Sequence, residues 1–266
     1  MNKKRHPVSV LYSVFIFLFL YAPIIVLIVF SFNESKSRGR WTGFSLRWYQ
    51  ELFDNSTLMD ALKTTLAVAL ISSAIAVIIG TAAALGLHYS KKRIRNVLMN
   101  VTSLPMVNAD IVTGISLLLL FTFIGLKLGF VSLLLAHITF NIPYVILSVM
   151  PKLTQLDNNT FEAALDLGAT PLQAFFKVML PEISPGIVTG FILAFTMSID
   201  DFVISFFTTG ADVNTLSVAI YSMTRRGIKP EINALSTLMF ITVLTLLIVV
   251  NVRSGRDVQK REKERH

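Results

Sequence analysis

The chain has 266 residues, of which 53% are hydrophobic and 15% charged, with mean hydropathy +0.66, no cysteine and formal net charge +8. A charged fraction so far below the ~25% of an ordinary soluble domain, together with long uncharged apolar runs, excludes a single soluble domain and points to membrane spans. Without cysteine there is no disulfide framework and no cysteine-based zinc site, while the positive charge admits a nucleic-acid partner until its placement is read.

Taken in chain order, six runs of about 20 apolar residues are expected to span a bilayer: 9–32, 64–87, 97–124, 130–150, 186–209 and 233–250. The first is too long for a signal-peptide core and is followed by Asn33, Glu34, Ser35 and Lys36, so it reads as a retained helix. Three short polar segments, 1–8, 88–96 and 251–266, hold 13 of the 24 Lys and Arg residues. The positive-inside rule puts all three in the cytoplasm, the side that six spans require for both termini. The charge is therefore mostly topological, and nucleic acid drops out as a partner. The C-terminal run RSGRDVQKREKERH reads as a solvated tail. The whole chain, 1–266, is expected to form one all-α transmembrane domain.

Between the fourth and fifth runs lies LDNNTFEAALDLGATPLQAFFKVMLPEISP, residues 156–185. Asn159 with Glu162 three residues on reads as a helix start, and Gly168 as the left-handed stop. Thr170, Pro171 and Gln173 restart a helix as cap, first-turn proline and capping-box partner. Leu180-Pro181 is expected to end it, and Ser184-Pro185 to open the fifth span. Two short helices of about eight or nine residues, bent around Gly168, follow from this reading.

Glu162-Ala163-Ala164, then Gly168, then Val178, Leu180 and Pro181 resemble the EAA loop of the integral-membrane permeases of ABC importers, with Val178 where isoleucine is more usual. The resemblance implies a type I importer fold whose loop is a coupling helix seated in a cytoplasmic ATPase. It implies a polar contact for Glu162, close backbone approach at Ala163 and Ala164, a bend at Gly168, and Leu180 and Pro181 as the motif's end. The chain carries no G-x-x-x-x-G-K-[ST] loop, so no cofactor is expected on it; ATP and Mg would be used by a pair of partner ATPase subunits.

Asp110 in the third run and Asp200 and Asp201 in the fifth are carboxylates within apolar sequence. Each costs at least about 2.5–3.5 kcal/mol at bilayer depth unless it faces a cavity, finds a partner or is protonated. Asp110 and Asp201 are expected at one level. Gly190, Ala194, Ser198, Asp201, Ser205 and Thr208 form a small and polar stripe, fit to line a path or a tight helix interface. That stripe favours Asp201 for exposure to a path and gives Asp200 second place. Lys63 and Lys127 lie near the outer ends and no basic residue is expected at matching depth in any run, so a cationic substrate becomes the expected partner. His137, Asn141, Tyr144 and Ser148 make a second stripe in the fourth run. There Tyr144 offers a ring face to an ammonium, or core packing, and His137 a helix–helix hydrogen bond.

Ser198–Phe207, SIDDFVISFF, looks like the matching stretch of the spermidine/putrescine permeases, and the whole chain is similar to the second permease of such systems. That resemblance implies a second permease subunit, a periplasmic substrate-binding protein and a polyamine substrate. The segment 210–232, with a short helix expected over 213–223, offers Arg225, Arg226 and Lys229 as a landing surface for that binding protein, or is a solvated loop. Rival readings are a permease for another solute, an ion-coupled secondary transporter using Asp110 and Asp201 as proton sites, and an intramembrane aspartyl protease.

Overall fold

A computed structural model describes residues 7–35, 40–226 and 230–245. Among them every regular element is helical, and the one extended pairing is a single antiparallel bridge between Asn33 and Phe44. The chain divides into two compact units, Met1–Met59 with Ile220–His266, and Asp60–Ala219.

The first unit contains α1 (Pro7–Ser31) and α2 (Arg47–Asp54). The most apolar stretch of α1 is unburied, as expected of a helix whose neighbours are lipid or another chain. The loop after it is pinned by polar contacts. Asn33 Nδ2 donates to Arg40 O (2.9 Å), its Oδ1 accepts from Thr42 N (3.0 Å), and its carbonyl accepts from the indole of buried Trp48 (2.6 Å). This polar loop thus satisfies its own backbone while α2 buries Trp48 and Leu52.

The second unit holds most of α3 (Ser56–His88), then α4 (Lys92–Val107), α5 (Asp110–Phe123), α6 (Phe130–Thr154), α7 (Asn158–Asp166), α8 (Pro171–Ala174), a π-helical turn Phe175–Met179, α9 (Leu180–Asp200) and α10 (Val203–Thr208). The remaining helices are α11 (Leu216–Arg226), displaced toward the C-terminus from the expected 213–223, and α12 (Glu231–Thr245). Over half of the apolar stretch of α6 is buried, which makes it the centre of this unit. Its most extensive partner is α9, running antiparallel. Gly186, Gly190 and Ala194 share one face of α9, and a Cβ at Gly186 would sit 2.9 Å from Ser148 O. Small residues at this spacing let two backbones approach closely where lipid offers no hydrophobic drive. Val145, Ile146, Val149, Leu153, Met179 and Ile183 fill the core beside them.

Four helical stretches are long and apolar enough to cross a membrane: Tyr12–Ser31 in α1, α3, α6, and the rod Pro171–Asp200 made of α8, the π turn and α9. The expected third span, 97–124, is not one helix. It divides into α4 and α5, bent by 102°, and the pair counts as a fifth crossing only if taken together. The break has local causes. Pro105 lacks an N–H, and Asn108 and Ala109 are extended, with Asn108 N closing α4 onto Leu104 O. α12 covers most of the expected sixth run, whose residues 246–250 lie outside the described residues together with the C-terminal basic segment.

Two further boundaries differ from expectation. Leu180-Pro181 ends no helix, because the π turn ahead of it widens the backbone where Pro181 would otherwise meet the carbonyl four residues earlier. The expected fifth span, 186–209, is interrupted at Asp201 and Phe202, where α9 stops and α10 begins.

Candidate functional site

The loop between α6 and α9 is held from below and open above. Leu156 and Phe161 pack against the core around α6, while Glu162 and Ala163 are exposed and Ala164 is half-buried. The cap of α7 is Asp157, whose Oδ1 accepts from Asn159 N (3.0 Å), two residues ahead of the expected start. Gly168 has φ +87°, with its N–H on Leu165 O and that of Ala169 on Ala164 O, closing α7 in a left-handed stop as its sequence predicts. Thr170 Oγ1 accepts from Gln173 N (3.3 Å) and Gln173 Oε1 from Thr170 N (3.0 Å), the expected capping box. Leu180 is half-buried in the core and Pro181 exposed. The EAA segment is thus a short surface helix on a rigid seat, joined to the long rod by one glycine-centred turn.

Of the three carboxylates, Asp110 opens α5 and is exposed, its charge placed in the first turn where the helix dipole favours it. Asp200 ends α9 and is exposed. Asp201 reverses the expected order, because its side chain is only 7% exposed. It accepts from Ile204 N (3.1 Å) and Ser205 N (2.7 Å), satisfying donors at the start of α10 that the break leaves without helical partners. Its Oδ2 also lies 3.6 Å from His137 Nε2, so a histidine stands beside it where no basic residue is expected.

Ser198 and Ser205 are buried at helix–helix contacts. Asn141 Nδ2 donates to Ser198 Oγ (2.8 Å) and Ser72 Oγ (3.3 Å), tying α6 to α9 and α3. His137 Nε2 is hydrogen-bonded to Ser205 Oγ (3.1 Å), the helix–helix bond expected of it. Ser132 Oγ donates to Thr208 O (2.8 Å). Sequence reasoning passes over Ser72; its one signal is the Ser72-Ser73 pair inside the apolar run 66–80 of α3.

α10 packs along α5, with Gly114 against Val203, Ile204 and Phe207. Asp110 precedes Gly114 by one helical turn and Asp200 immediately precedes the break before Val203, so both exposed carboxylates lie at the same end of that pair. Tyr144, half-buried, is within electrostatic range of Asp110. The arrangement is two exposed carboxylates at the same end of the α5–α10 pair, beside a buried polar network that joins α3, α6, α9 and α10.

Long apolar helices packed through small residues, a surface helix on a rigid seat between two of them, and carboxylates set at helix breaks define a membrane permease component. The match to binding-protein-dependent transport system inner membrane components covers residues 76–256, and the chain belongs to that family. The spermidine/putrescine transport system permease protein PotC of Haemophilus influenzae is 39% identical over 209 residues, 79% of this chain and 81% of that protein. The putrescine transport system permease protein PotI of Escherichia coli (strain K12) is 41% identical over 206 residues, 75% and 73% of the two chains. In fold, the chain is similar to a chain of a bacterial ABC transporter involved in the import of the acidic polysaccharide alginate, with TM-score 0.71, 17% identity and 94% of each chain covered. The same fold is found in the alginate transporter complexed with its pentasaccharide-bound periplasmic protein, with TM-score 0.69, 17% identity and 93% of each chain covered. The chain is an all-α, non-catalytic inner-membrane permease component, which sets aside the protease and secondary-transporter readings.

Proposed function

We propose that this chain is a channel-forming subunit of an ATP-driven importer that moves polyamines from periplasm to cytoplasm. The observation that carries the reading is the 39–41% identity to permeases of spermidine/putrescine and putrescine transport systems. In this proposal the chain forms one transmembrane domain with six spans and both termini in the cytoplasm. It pairs with a second permease subunit, receives substrate from a periplasmic binding protein and is driven by a pair of cytoplasmic ATPase subunits that use ATP and Mg. Glu162, Ala163, Ala164 and Gly168 form the docking helix and its bend, with Leu180 and Pro181 at the start of α9 within the rod that carries movement into the membrane.

Asp110 and Asp200 meet ammonium groups on the path, and Tyr144 offers its ring to the same cation. Exposure supports this choice: these side chains reach the chain surface, whereas Asp201, Ser198 and Ser205 are spent on contacts within it. A carboxylate that lacks a counter-ion at bilayer depth is costly, and an arriving polyammonium offsets that cost without a permanent partner that would compete with it.

The test is uptake of labelled spermidine and putrescine by the reconstituted complex. Asp110→Asn and Asp200→Asn are each expected to lower uptake at least about tenfold, roughly the 1.4 kcal/mol of one weakened charge contact. Uptake unchanged in both, with normal assembly, removes the carboxylates from the path; transport of a different solute class by the wild type replaces the substrate.

A further inference from the structure

Asp200 and Asp201 are neighbours in sequence with opposite surroundings. An uninterrupted helix would separate them by about 100° and nothing more. Here the backbone turns extended at Asp201 (φ −66°, ψ 126°), and α9 stops with Asp200 exposed. Asp201 is turned inward, where both its oxygens take backbone N–H groups of α10. The break is also tied from outside its own segment. Ser205, whose N–H reaches Asp201, is joined through its hydroxyl to His137 of α6, and the His137 ring is 1% exposed and 3.6 Å from Asp201. Asp201, Ser205 and His137 therefore close a three-membered cluster across two helices. The other ring nitrogen of His137 has no hydrogen-bond partner among the described residues, a cost that the contacts of its Nε2 must offset.

We propose that His137 and Asp201 are positioning residues: by fixing the α9–α10 break against α6 they determine that Asp200, and not Asp201, is the carboxylate presented to the substrate. The substrate half of this statement rests on the polyamine reading above. If the latch is released, α10 loses the acceptors for its first N–H groups, and the relaxed alternative is a helix continued through Asp201. Continuation leaves Asp200 on its own face of α9 but stacks Val203 and Ile204, three and four residues on, over it, so that its exposure falls.

Because the chain has no cysteine, single thiols report position directly. Asp200→Cys and, as a buried neighbour outside the latch, Ile199→Cys are placed one at a time in the reconstituted complex and treated with a cationic methanethiosulfonate reagent, and adducts on this chain are read by mass. Position 200 is expected to react about tenfold faster than 199, since a buried thiol is inert. In the Asp200→Cys background, His137→Leu is expected to slow labelling severalfold, whereas His137→Gln, which keeps a nitrogen for Ser205, restores most of the rate. Asp201→Asn, which keeps one oxygen to accept from the α10 backbone, is expected to leave most of the labelling at position 200 while Asp201→Ala slows it. Equal rates at 200 and 199, or a rate at position 200 indifferent to His137→Leu and Asp201→Ala, overturns the proposal. Spermidine uptake by the complex with Asp200 intact separates the two ideas: the expected labelling pattern with no spermidine or putrescine uptake by the wild type upholds the latch and overturns the polyamine reading.

Discussion

The rod Pro171–Asp200 ends in two different joints. At its start the chain turns about Gly168, and everything that shapes the turn lies within the single short segment 157–173: the Asp157 cap, the left-handed glycine, and the Thr170–Gln173 box. At its finish the chain breaks at Asp201, and the break is tied to His137, far back along the chain on α6. A joint built from local bonds keeps its shape when the elements around it shift. A joint built from another helix keeps its shape only while that helix stays in place. The first is suited to carry a docking helix that moves with a partner, and the second to hold a carboxylate at a fixed position relative to α6.

The largest effect is expected from Gly168→Pro, which breaks the local joint outright. Proline fixes φ near −65°, against +87° here, and removes the N–H that reaches Leu165 O. Transport per ATP hydrolysed is expected to collapse while the membrane-embedded helices stay folded, because no heavy atom lies within 4 Å of a Cβ at this position and the fault is purely conformational. Gly168→Ala, which bears only the left-handed penalty of about 1–2 kcal/mol, is expected to fall between proline and wild type. Normal coupling in the proline variant removes Gly168 as the joint.

Gly186→Val tests the stretch between the joints. Its Cβ meets Ser148 O and Lys152 Cγ at 2.9 Å, and a backbone oxygen in a central helix has nowhere to move. Overpacking of this kind costs about 1–3 kcal/mol, so the purified complex is expected to melt several degrees lower and to assemble poorly. The comparison sharpens if coupling per assembled complex survives while stability falls, since the rod's seat on α6 is then separable from the turn that feeds it. Unchanged melting places Gly186 off the interface.

Legibility divides along the same line. Helical class, most apolar runs and the Gly168 turn are readable because each depends on a short window of sequence: apolar length, a left-handed glycine, a Thr-Pro-x-Gln start. The breaks at Asn108–Ala109 and Asp201–Phe202 escape such a reading, although Pro105, Asn108 and the paired aspartates are poor interior helix residues. In a membrane run, apolar length outweighs those signals. The three aspartates stand out from sequence as the informative charges, but which of Asp200 and Asp201 is exposed depends on His137 and Ser205, a tertiary contact that helical spacing does not contain. Proline misleads in the opposite sense at Leu180-Pro181, where a π turn lets the helix continue.

The smallest effect is expected from Thr170→Ala. The hydroxyl accepts one backbone N–H, from Gln173, and the Gln173 side chain accepts the Thr170 N–H in turn; both groups are exposed. Losing an exposed N-cap costs about 1 kcal/mol, and the rod it starts is secured further on by the core around Met179 and Ile183. The purified complex should therefore melt within a few degrees of wild type, with transport per ATP reduced only modestly, and Thr170→Ser should restore it. Measured beside Gly168→Pro, this variant decides what the local joint consists of. If Thr170→Ala uncouples as severely as proline at 168, the joint is the capped helix start and not the glycine turn, and the contrast between the two ends of the rod has to be redrawn around the cap.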